Sequence, residues 1–159
     1  MSSPVSIGDI IQLTNLAWRL YKAYKDSSAD FARLSTDILS LHAVLAEVSE
    51  FLSDNPTLDT SRRHRLSVLC EGCQGVLADM NALHARYDSL GTHAQRTWDR
   101  MRFGLKDLAD VRGRLVSSVS MLTAWNVAVV KYDPPTQTNA SRFASKWQKS
   151  QLAPSTWAD

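Results

Sequence analysis

The sequence predicts an all-α protein: an antiparallel up-and-down four-helix bundle with a long last helix and a flexible or short-helical C-terminal tail. Three observations predict it. Apolar residues recur at alternating spacings of three and four over long stretches, and no run shows the two-residue alternation of a strand. The breaks between those stretches carry helix start and stop residues. The apolar fraction of 44% and charged fraction of 21% in 159 residues are those of a globular domain with a core of its own.

Helix 1 is predicted over residues 7–26, with Ile10, Leu13, Ala17, Leu20 and Tyr24 as its seam. Ser6 and Asp9 have capping-box spacing before it, and Val5 with Ile10 could form a hydrophobic staple. Helix 2, over 29–53, places Phe31, Leu34, Ile38, Leu41, Leu45, Val48 and Leu52 on one face. "DNPTLDT" at 54–60 then breaks the chain at Pro56. Helix 3, over 60–89, repeats the pattern with Leu66, Leu69, Cys73, Val76, Met80, Leu83 and Tyr87. Gly91 is a natural left-handed cap after it, and Thr92 with Gln95 opens helix 4 over 93–131. Its seam runs Trp98, Met101, Leu105, Leu108, Arg112, Leu115, Val119, Leu122, Asn126 and Val129. At about 1.5 Å per residue this helix would reach close to 58 Å, so it must kink near Gly104 or Gly113 or project beyond the others.

The domain division follows: 1–131 is the bundle, and 132–159 is a Pro/polar linker with a basic-aromatic tail. In the tail, Phe143 and Trp147 share a short apolar stripe opposite Arg142, Lys146 and Lys149.

Helix 1 carries more apolar surface than one neighbour can cover. Beside its seam lies a second flank of Ile7, Ile11, Trp18 and Tyr21. With Phe143 and Trp147 these are the candidate membrane or partner residues.

Charge excludes one class. Residues 1–130 hold 14 Lys and Arg against 14 Asp and Glu, so the body has no concentrated basic face for nucleic acid. No signal-peptide pattern opens the chain, and two cysteines fit a reducing compartment, so the expected location is cytoplasmic, with a peripheral place at the membrane as the variant.

No constellation suggests catalysis. "CEGC" at Cys70 and Cys73 has the spacing of half a zinc site or of a redox pair, but no second ligand pair follows, and Cys73 sits on the helix 3 seam. Gly72 and Gly75 beside it read as points of close helix approach. His42, His64, His84 and His93 are scattered. "RRHR" at 62–65 places positive charge in the first turn of helix 3, against the helix dipole, and reads as a solvated turn or a contact point. Arg112 and Asn126 interrupt the helix 4 seam: either Val111 takes the place of Arg112 and the charge reaches to water, or the two polar residues pair with a neighbouring helix. The chain is read as no enzyme, with no cofactor, no metal and no small-molecule substrate.

Several segments in order resemble a known family: "PVSIGDIIQLTNLAWRLYKAYKD", "LSTDILSLHAVLAEV", "LCEGCQGVLADMNAL", "YDSLGT" and "RTWDRMRFGLKDLADVRGRLVSSVSMLTAWN". They are similar to the fungal N-terminal domain that precedes NACHT-type NTPases and ankyrin repeats in NLR-like (STAND) proteins, of the HeLo-like group. The resemblance covers roughly residues 4–128. It implies a helical signalling or effector domain of innate immunity and programmed cell death, whose first helix, here Val5 to Tyr24, is the membrane-active element. No Walker-type loop or repeat array follows in this chain, so it is read as a stand-alone copy, a truncated product or a fragment.

Two functions are therefore expected. One is a signalling/effector module acting by bundle association and by helix 1 at an anionic membrane surface. The other is a soluble interaction, adaptor or decoy domain whose partners are itself or NLR-like receptors.

Overall fold

The computed structural model describes residues 5–26, 29–88 and 105–132. Among them are four helices and no strand: α1 (Ile7–Lys25), α2 (Ala29–Asp54), α3 (Thr60–Asp88) and α4 (Leu105–Tyr132). The predicted opening of helix 4 at 93–104, its Thr92/Gln95 cap, the Gly91 cap, Gly104 and the 133–159 tail lie outside the described residues. The chain divides into two compact units, Met1–Asn126 and Val127–Asp159.

The ends of α1 and α3 form for local reasons. Ser6 caps α1: its hydroxyl accepts from the Asp9 amide at 3.2 Å, and the Asp9 carboxylate accepts from the Ser6 amide at 2.9 Å. Two amide donors at a helix start are thereby satisfied reciprocally. Asp59 does the same for α3, its carboxylate accepting from the Ser61 amide at 2.8 Å. That acid, 3.4 Å from Arg62, offsets the basic first turn, and Arg63 donates to the Pro56 carbonyl at 3.0 Å.

The expected seams of α1 and α2 are buried throughout, from Ile10 to Tyr24 and from Phe31 to Leu52. The α1 face against α2 is the most extensive helix contact. Tyr24 is fully buried, meets Phe31 edge-on with ring centres 5.0 Å apart, and donates its hydroxyl to the Met80 carbonyl of α3 at 2.7 Å. Three helices thus meet at one phenol, which satisfies its own polar atom inside the core.

On α3 the buried face is wider than the seam predicts. Ser67, Cys70 and Leu77 are buried beside Leu66, Cys73, Val76 and Met80, whereas Leu69 is half-buried. The reason is that α3 serves two neighbours: Tyr24 of α1 reaches Met80, and Asp79 pairs with Arg114 of α4. Gly72 and Gly75 are not points of close approach, since a Cβ added at either would meet nothing within 4 Å.

α4 buries Leu108, Val111, Leu115, Leu122 and Trp125; Leu105 opens the helix, and its side chain lies outside the described residues. Val111 does take the seam, yet Arg112 does not simply reach to water: its Nε lies 2.8 Å from the Asp37 carboxylate of α2. Arg114 pairs with Asp79 of α3. Asn126 donates to Glu47 at 3.1 Å, and Trp125 meets Phe51 edge-on while its indole N–H donates to the Arg62 carbonyl at 3.2 Å.

Two substitutions separate packing from polar pinning. Leu45→Ala, at a fully buried site, should cost about 3 kcal/mol, and Tyr24→Phe about 1 kcal/mol, each read as a shifted urea midpoint with unchanged slope.

Candidate functional site

The candidate partner residues expected on helix 1 lie on α1, and its seam decides which of them face outward. With Ile10, Leu13, Ala17 and Leu20 turned inward, Ile7, Ile11 and Trp18 face outward at 37%, 46% and 40% exposure. Tyr21 is half-buried. It stacks on Trp18 with ring centres 5.2 Å apart, and His42 of α2 approaches Trp18 at the same distance. Lys22 sits over the indole at 5.8 Å. The gap in the row is filled by Thr14, whose hydroxyl donates to the Ile10 carbonyl at 2.7 Å and so makes no demand on water. The result is an aromatic pair braced from two sides, preceded by two isoleucines, on an element anchored by its seam. An aromatic held rigid in this way gives up little side-chain freedom when a partner covers it. Phe143 and Trp147, expected to join this set, lie outside the described residues.

On the other side of α1 from this flank, α1 and α3 line a cleft of about 410 Å³. Val5, Leu13 and Leu16 supply apolar lining, Asp9, Arg19 and Glu71 the charges, and Cys70 a thiol. Burial pushes the Cys70 thiol up to about 12 and the Cys73 thiol up to about 11, so neither is a thiolate at neutral pH. Both are free cysteines. Among the described residues no group of three His, Cys, Asp or Glu side chains is placed to hold a metal ion. His42 and His84 instead stand beside aromatic rings, those of Trp18 and Tyr24.

The sequence offers the overhang of helix 4 around Trp125 as a second association surface; Trp125 itself is buried, and the large apolar residues left outside on α4 are Val116, Met121, Val127 and Val130. Among the described residues α4 is the one helix long and apolar enough to cross a membrane: within Leu108–Lys131 an 18-residue stretch has a mean hydropathy of 1.2, with 22% of that stretch buried. From Leu115 to Val130 the sequence carries no charge.

Hydrogen bonds from Ser6 hold the Asp9 carboxyl below the usual carboxylate range. A lowered folded-state pKa stabilises the fold above the unfolded value, and this contribution fades as pH falls toward the folded one. Thermal stability should therefore drop below about pH 4, and Ser6→Ala should flatten that part of the profile. The two thiols should react with a disulfide reagent only as fast as the protein opens, which stopped-flow labelling with and without urea would measure.

No family model, no curated protein and no solved structure matches this chain.

Proposed function

We propose that this chain is a non-catalytic signalling module that works by associating with other protein surfaces through the outward flank of α1. The observation that carries this is the contrast along α1: five seam residues buried, and Ile7, Ile11 and Trp18 held outside around a braced aromatic pair. An ordinary surface helix sets charge on that side.

The order of the contacts supports the finer architecture. Trp18 meets His42 and Tyr24 meets Phe31, an order that supports α1 and α2 running in opposite directions. Arg112 pairs with Asp37 and Asn126 with Glu47, an order that supports α2 and α4 running the same way, as alternate helices of an antiparallel up-and-down bundle would. This architecture and the segment resemblance together favour a role like that of the N-terminal domains of fungal NLR-like receptors, in innate immunity and programmed cell death, with such a receptor or a second copy as partner. Cytoplasmic placement belongs to the same proposal.

A membrane-directed reading has its own support: Trp18 with Lys22 above it is a pairing suited to a headgroup interface, and α4 adds an apolar helix of spanning length.

The deciding experiment compares wild type with Ile11→Glu and Trp18→Ala, in capture of NLR-like receptors from the native cells and in sedimentation with phosphatidylserine vesicles. Association through α1 predicts at least about a tenfold loss of captured receptor for Ile11→Glu with no vesicle binding by either form. Vesicle binding that Ile11→Glu removes would replace the first reading with the second.

A further inference from the structure

Four of the nine large apolar side chains exposed among the described residues lie on α4: Val116, Met121, Val127 and Val130. From Leu115 to Val130 the helix carries no charged residue, so its outward side is uncharged for about four turns. Two hydroxyls on that side need no water: Ser120 donates to the Val116 carbonyl at 2.9 Å, and Thr123 donates to the Val119 carbonyl at 2.8 Å. Dehydrating this side leaves those donors satisfied, whereas keeping it wet leaves valine and methionine in water.

The charges that bound the face select its occupant. Asp110 and Lys131 are both exposed, stand at opposite ends, and are almost equally far along the helix from Ser120. We propose that this face of α4 pairs antiparallel with the same face of a second copy of the chain, about a two-fold axis near Ser120. Asp110 of one copy then meets Lys131 of the other at both ends, as an isologous interface requires. A parallel pairing would set like charges together. Asp110 already receives Arg114 Nε at 3.2 Å, but its side chain is 70% exposed and keeps acceptor capacity for a second cation. The same register sets Val127 beside Gly113, where a Cβ would meet nothing within 4 Å, so the two backbones can approach closely. A lipid surface uses none of this two-fold complementarity. A single helix pair lies at the small end of specific interfaces, so the dimer has a dissociation constant in about the micromolar range.

This pairing is independent of the α1 flank, and its variants leave that flank intact. Sedimentation equilibrium of the full chain over a wide concentration range should show a reversible monomer–dimer step. Ala124→Glu should weaken it about tenfold or more, with the thermal transition unchanged. Asp110→Lys and Lys131→Asp should each weaken the dimer, and the double swap should restore it, which a mere loss of folding would not do. A monomer at every concentration would overturn the proposal, as would a dimer indifferent to Ala124→Glu or singles that the double swap fails to rescue. So would binding of the wild type to phosphatidylserine vesicles that Ala124→Glu abolishes, which would make lipid the occupant.

Discussion

Tyr24 is the point on which three of the four helices depend. Its ring is edge-on to Phe31 of α2 and tilted against His84 of α3, and its hydroxyl closes on the Met80 carbonyl. A phenol buried this completely must find an acceptor, because an unpaired hydroxyl in an apolar core costs as much as several buried methylenes contribute. That requirement fixes how far α1 can slide along α3. Burial also raises the hydroxyl's pKa above its ordinary value, so it stays a donor throughout the physiological range. With α1 fixed in this way, the flank beside its seam is turned to solvent or a partner, and the Trp18 pair, braced by His42 of α2, follows as a surface feature.

The attachment of α4 obeys a different logic. Its buried row is apolar, but its contacts with α2 and α3 are closed at the margins by polar groups: Arg112 on Asp37, Arg114 on Asp79, Asn126 on Glu47 and the Trp125 indole on the Arg62 carbonyl. Exposed ion pairs of this kind add little stability each. What they add is register, since moving α4 by one turn would break all four together. Asn126 carries the cost of this arrangement, with its Oδ1 buried and unpaired while Nδ2 serves Glu47.

Much of this was legible in the residues. The three-and-four spacing placed the inner rows of α1 and α2, although α2 buries Ser35 as well, because on those helices burial largely follows the helical period. The Ser6–Asp9 box was equally plain, being a contact between residues three apart. The same rule misjudged α3: a helix between two neighbours buries Cys70 and Leu77 as well as Cys73, and periodicity assumes one partner. It also gave Gly72 and Gly75 a packing role, because a glycine on a helix looks alike whether its face is crowded or open.

The residue order by itself determined that this chain folds as helices, where three of them begin and end, and which outward flank of α1 would be apolar. Those are local properties, set by periodicity, caps and chain breaks within one turn or two. Only the tertiary structure decided that Arg112 and Asn126 reach acids of α2, that both cysteines are sealed against ionisation, and that the outer side of α4 is left uncovered. Each of these depends on residues far apart in sequence and on how many neighbours a helix acquires, which spacing along one strand of text does not encode.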